Sequence, residues 1–196
     1  MKKKYIIYVC IIIMIPIFLL FYEKNEGTPP VLTVDGAELT LGISSPDDLH
    51  SQGFEFSYPN EIRLYNNMPA GSWSYEFLPV IKNDELYAYF YVYNPTQKEV
   101  YFTGATLYQI TFGMYSEEDS YWTQNNILVN GINFYGMNMD EVKTAMQAYK
   151  KPKETSYGSL VYKDGKYSYY IRFNDNGLVE EVSVEMTFSK SYDEIS

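Results

Sequence analysis

One cysteine and one histidine occur in 196 residues, and Lys and Arg number 15 against 25 Asp and Glu. Each shortage excludes a chemistry. Cys10 lies inside an apolar run and no cysteine follows Tyr22, so the rest of the chain has neither a disulfide nor thiol catalysis. With His50 alone, His-based metal triads and Ser-His-Asp or Cys-His sites lack their parts. Lys2, Lys3 and Lys4 take three of the basic residues, leaving 12 against 25 acids from Glu23 onward. Nucleic acid and anionic lipid both need clustered Lys and Arg, so neither suits this surface.

Acidic residues are plentiful but poorly placed for catalysis. Asp47-Asp48, Glu117-Glu118-Asp119 and Glu180-Glu181 are adjacent in sequence. Glycosidic chemistry needs two separated carboxylates facing one cleft. Asn174-Asp175-Asn176-Gly177 has the start of a calcium loop without its closing bidentate Glu, and reads as a hairpin turn. Glycine-rich phosphate loops are missing as well. No catalytic residue, cofactor or metal is therefore expected.

From Tyr5 to Tyr22, 18 residues carry no charge. As a helix they reach about 27 Å, close to a bilayer's hydrocarbon thickness. Lys2 to Lys4 precede the run and Glu23 and Glu26 follow it, which predicts a cytosolic N-terminus and an extracytoplasmic remainder. A cleaved secretory signal has the same opening. The exit Leu20-Phe21-Tyr22-Glu23 offers no small residues for cleavage, which favours a retained single-pass anchor in the membrane of a bacterial cell envelope.

Past residues 25–30, a short Gly- and Pro-bearing stalk, the chain repeats a design. Leu32 and Val34 flank Asp35-Gly36 with Ala37 and Leu39, and Ile127 and Val129 flank Asn130-Gly131 with Ile132 and Phe134. Asp-Gly and Asn-Gly accept the positive φ of type I′ turns, so both read as hairpins. A helix start follows each, at Ser45-Pro46-Asp47-Asp48 and at Asn138-Met139-Asp140-Glu141. Val142, Ala145, Met146 and Tyr149 form one apolar stripe of the second helix, ended by Pro152. Then DELYAYFYVYN at 84–94 aligns with DGKYSYYIRFN at 164–174, without a gap, at an offset of 80.

These units predict an α+β fold of two tandem modules, each a hairpin, a helix and an antiparallel sheet, behind an N-terminal transmembrane helix. The boundaries are 1–24 for the Lys cluster and anchor, 25–30 for the stalk, 31–115 and 127–196 for the modules, and 116–126 for the linker. The run Gly136-Met137-Asn138-Met139-Asp140-Glu141-Val142, with Pro152 after the helix and three strands beyond, resembles the β-lactamase-inhibitor-protein-like (SmpA/OmlA-like) fold. That resemblance covers about 60 residues of the second module and reaches the first only through the repeat. It implies architecture and a sheet face that binds protein, and it assigns no functional residue.

Alternate residues of a strand face opposite ways. Tyr167, Tyr169, Ile171 and Phe173 read as the inward face of their strand, and the offset of 80 carries this to Tyr87, Tyr89, Tyr91 and Tyr93. The outward set is then Ala88, Phe90 and Val92, beside Leu107, Gln109 and Thr111. An exposed apolar face marks a contact surface, which makes Ala88, Phe90, Val92, Leu107 and Gln109 the candidate partner-binding residues. The competing reading packs this face against the other module or under Trp73 or Trp122. A non-catalytic membrane-anchored module binding an extracytoplasmic protein is the expected function, and a cell-wall glycan binder is the alternative.

Folding of residues 25–196 independent of metal and thiol state follows from the composition. The thermal midpoint is expected to stay within a few degrees on adding chelator or reductant, and a larger fall would contradict it.

Overall fold

The computed structural model describes residues 26–56, 67–74, 77–113 and 127–187. Among them the fold is mostly β, with three antiparallel sheets and two short α-helices. The strands are β1 (Val31–Val34), β2 (Ala37–Thr40), β3 (Asn67–Met68), β4 (Leu78–Lys82), β5 (Glu85–Tyr93) and β6 (Val100–Tyr101). The series continues with β7 (Thr106–Gly113), β8 (Ile127–Val129), β9 (Lys153–Glu154), β10 (Leu160–Asp164), β11 (Tyr167–Phe173) and β12 (Val179–Met186). Helix α1 spans Pro46–His50 and α2 spans Met139–Ala145.

The expected α+β class is corrected to a mainly β fold, because helices of five and seven residues are too short to form a layer. Both are fixed by their caps. Asp48 Oδ2 accepts from the Ser45 backbone at 2.7 Å, and Asn138 Oδ1 accepts from Asp140 and Glu141 N–H at 3.0 and 3.1 Å. The single-pass, signal-anchored placement is corrected too: among the described residues no helix is long and apolar enough to cross a membrane. The longest described helix, seven residues, would reach only about 10 Å of the roughly 30 Å required. Residues 1–25, with Lys2 to Lys4, Cys10 and the run 5–22, lie outside the described residues, as do Glu117 to Asp119 and Trp122.

The turns form as their residues dictate, with φ of 44° at Asp35 and 50° at Asn130. Beyond Asn130, however, Ile132 makes only an isolated bridge to Val129, and β8 pairs instead with β1. The resulting small sheet has the order β2-β1-β8, and the large one has the order β4-β5-β7-β12-β11-β10-β9. Both sheets therefore cross from residues 31–113 to residues 127–187, through β1–β8 and β7–β12. At the chain's entry Gly27 crosses the β10–β11 turn so closely that a Cβ on it would stand 2.0 Å from the Asp164 carbonyl oxygen.

One face of the large sheet is the core face. Phe90 pairs with Ile110, Ile110 with Val184, and Val184 with Tyr169, and all four are buried. Phe56, after α1, packs edge-on against Phe90 at 5.5 Å between ring centroids, and Tyr149, after α2, packs against Tyr169 at 5.1 Å. The small sheet joins the same core through Leu32, Val34, Leu39 and Val129.

Tyr87 is buried, as expected, but beyond it the faces expected for β5 are inverted. Ala88, Phe90, Val92 and Leu107 are 2%, 0%, 0% and 1% exposed, so these four candidate contact residues are core. Tyr89, Tyr91 and Tyr93 are only partly buried and look the other way. The cause is one additional residue. Val80 pairs with Ala88 but Ile81 with Leu86, so Tyr87 is a bulge opposite β4. Leu78 pairs with Phe90 and Leu160 with Ile171, which makes Phe90 the counterpart of Ile171, 81 residues on rather than 80. A one-residue slip exchanges the faces of a strand.

Behind the sheet, buried tyrosines are treated unequally. Asn130 Nδ2 donates to the Tyr149 hydroxyl at 2.6 Å and to the Tyr169 hydroxyl at 3.2 Å. The Tyr162 hydroxyl is buried and has no hydrogen-bond partner among the described residues. Burial pushes the Tyr162, Tyr167 and Tyr169 phenols above their ordinary value of 10.0.

Phe90→Ala is expected to cost about 3–5 kcal/mol, as emptied aromatic core sites do, and Tyr89→Ala about 1 kcal/mol. Chemical denaturation checks the order, and a costlier Tyr89→Ala would contradict the assigned faces. Tyr162→Phe is expected to be neutral or stabilising by up to about 1–2 kcal/mol, since it removes an unpaired buried hydroxyl, whereas Tyr169→Phe costs about 1 kcal/mol. Because the three phenols lose protons more readily unfolded, the unfolded chain holds fewer protons above its tyrosine range. Stability is then expected to be level below pH 10 from this source and to fall above it, and an alkaline denaturation series checks the sign.

Candidate binding face

With the core face closed, the chemistry of the large sheet lies on its other side. Two rows cross it. The first is Tyr89, Thr111, Ser183, Tyr170 and Val161, and the second is Tyr91, Gln109, Glu185, Ser168 and Lys163. This face holds an open hollow of about 580 Å³, lined also by Phe77, Glu181 and Thr187.

The half on β5 and β7 is aromatic. Phe77 packs edge-on against Tyr89 at 4.7 Å and reaches Tyr91 at 6.2 Å. Tyr91 contacts Tyr108 at 5.9 Å, Trp73 stands perpendicular to Tyr108 at 4.7 Å, and Trp73 lies over Tyr93 at 4.3 Å. Tyr108 reaches this side through a second bulge, where Tyr91 pairs with Gln109 but Val92 with Leu107. Phe77 is 42% exposed, unusual for a large apolar side chain.

The half on β12 and β11 is polar. Ser183, 9% exposed, accepts from Gln109 Nε2 at 3.1 Å and from Thr111 Oγ1 at 2.9 Å. Arg172 is held by Glu181 at 2.9 Å and Glu180 at 3.4 Å. Glu185 is exposed and forms no ion pair among the described residues.

Of the five expected contact residues only Gln109 lies on this face; Ala88, Phe90, Val92 and Leu107 lie behind it. The residues missed are Tyr89, Tyr91, Phe77 and Glu185. The signal for this face stood on β11 and β12, where Ser168 and Tyr170, and Ser183 and Glu185, alternate with buried apolar neighbours.

Other groups have local duties. The His50 ring nitrogen Nδ1 lies 3.2 Å from the Phe54 carbonyl oxygen, closing the end of α1. Asn174 Oδ1 accepts from Asn176 and Leu178 N–H at 3.0 and 3.1 Å, which makes its segment a turn. Among the described residues no three His, Cys, Asp or Glu side chains could hold a metal ion. Comparison with protein-family models, with curated proteins and with solved structures finds no match to the chain.

Proposed function

We propose that the chain is a non-catalytic binding module that takes a protein partner on the open face of its large sheet. The observation that carries this reading is the joining of an aromatic cluster and a hydrogen-bonded polar ladder in one concave surface. Tyr, Trp and Phe supply large contact areas at small entropic cost, and partly satisfied polar groups beside them fix orientation. The resemblance to the β-lactamase-inhibitor-protein-like fold, with its implied protein-binding sheet face, supports the same reading.

A glycan reading draws on the same rings, which stack on sugar faces, and on acceptors at Gln109 and Glu185. The ring angles favour protein. A sugar platform needs exposed rings lying flat, but Phe77 meets Tyr89 at 80° and Tyr91 at 72°, and Trp73 meets Tyr108 at 88°. Crossed rings make an uneven surface that suits interdigitating side chains.

Crosslinking pull-downs from the source cells with the wild type and Tyr91→Ser provide the test. A discrete protein retained by the wild type is expected to fall about tenfold or more in the variant, as at an interface hot spot, with an unchanged thermal midpoint. Equal capture by both would overturn the reading. Saturable quenching of tryptophan fluorescence by chitohexaose or cellohexaose, lost in Tyr91→Ser, would establish the glycan reading instead.

A further inference from the structure

We infer that Asn176 is a site of spontaneous covalent modification, at which the side-chain amide is lost as ammonia and aspartate or isoaspartate is left in its place. Four Asx-Gly dipeptides occur in the chain, Asp35-Gly36, Asn130-Gly131, Asp164-Gly165 and Asn176-Gly177. At each, the glycine has no side chain to shield its backbone nitrogen from the preceding side-chain carbonyl carbon. In sequence Asn130 and Asn176 are equivalent, and the fold separates them.

Three of the four side chains are tied down. Asp35 is ion-paired to Lys82 at 2.7 Å, and Asp164 accepts from Thr28 N–H at 3.0 Å. Both are also carboxylates, whose charge repels an attacking amide anion. Asn130 is held at both ends of its amide: Oδ1 accepts from Val31 N–H at 2.7 Å, and Nδ2 donates to the Tyr149 and Tyr169 hydroxyls at 2.6 and 3.2 Å. Swinging its Cγ toward Gly131 means breaking all of these. Asn176 is exposed, and its side chain makes no hydrogen bond among the described residues.

The reaction needs only solvent water and hydroxide. Gly177 N–H donates to the Asn174 carbonyl at 2.8 Å, so the turn must first open, which costs little in an exposed segment between two strands. The glycine nitrogen gives its proton to hydroxide and attacks Asn176 Cγ. The N–Cγ bond forms, the Cγ–Nδ2 bond breaks, and the departing amide takes up a proton and leaves as ammonia. Water then opens the cyclic imide at either carbonyl, giving aspartate by attack at Cγ or isoaspartate by attack at the main-chain carbon. No atom is oxidised or reduced. The product is one unit more negative than the −10 of the chain. The altered turn does not line the open face, so the inference stands apart from the protein-binding reading.

The test incubates the folded full chain in heavy-oxygen water over a series of pH values and follows both Asn-Gly sites by peptide mass. Conversion at Asn176 is expected to be at least about tenfold faster than at Asn130, to rise with pH and to incorporate the heavy oxygen. In denaturant the two sites are expected to convert at similar rates, because the hydrogen bonds that distinguish them are gone. Asn176→Gln is expected to abolish the mass gain of the folded chain. Conversion at Asn130 as fast as at Asn176 in the folded chain would overturn the inference, as would a mass gain that survives Asn176→Gln. An Asn176 that stays intact in the folded chain while the unfolded chain converts would overturn it equally.

Discussion

The pairing of β7 with β12 is the constraint on which the rest of this structure depends. Glu181 lies opposite Gly113 and Glu185 opposite Gln109, and the five residue pairs of this ladder join a three-stranded unit, β4-β5-β7, and a four-stranded one, β12-β11-β10-β9, into one sheet. Each unit would otherwise expose a strand edge of unpaired backbone groups, and β7 and β12 are long enough, at eight residues each, to make those edges hazardous. Joined, they remove both edges at once. The same ladder aligns Ile110 with Val184, so one face becomes a continuous apolar floor, and it aligns Thr111 with Ser183, so the other carries the polar ladder. Of the two outer strands that remain, β9 is short and charged, Lys153-Glu154, and β4 is bridged at Ile81 by Glu55.

Tyrosine serves both faces of this sheet by different means. Behind it, Tyr169 buries its ring and satisfies its hydroxyl on Asn130, a turn residue whose own Oδ1 accepts from Val31 N–H at 2.7 Å. That one side chain therefore ties β1, the segment after α2 and β11 together. In front, Tyr89 and Tyr91 keep their rings half-buried against Phe77. An amphipathic ring is stable in either setting, which is why tyrosine alone does not say which way a strand faces.

Local chemistry was legible from the sequence and long-range register was not. The two I′ turns, both helix caps and the strand pairs around 84–94 and 164–174 depend on dipeptides, cap residues and alternation within a few positions, and they form where those signals stand. The faces of β5 depend on a bulge at Tyr87, and one inserted residue leaves no compositional trace. The gapless match at offset 80 is therefore a true similarity read one residue out of register. Ala88, Phe90 and Val92 hold the better signal, being the strand's run of side chains without a polar atom. Pairing of β1 with β8 lay equally beyond local reading, since each was expected to close its own hairpin.

The measurement closest to the central claim is the solvent access of alternate residues along β5. In a chain with Cys10→Ser, single substitutions Tyr89→Cys, Phe90→Cys, Tyr91→Cys and Val92→Cys are labelled with a thiol reagent under native conditions. The structure predicts fast labelling at 89 and 91 and protection at 90 and 92, with all four reacting alike once unfolded. Fast labelling at 90 and 92 with protection at 89 and 91 would put the aromatic cluster in the core and contradict the account.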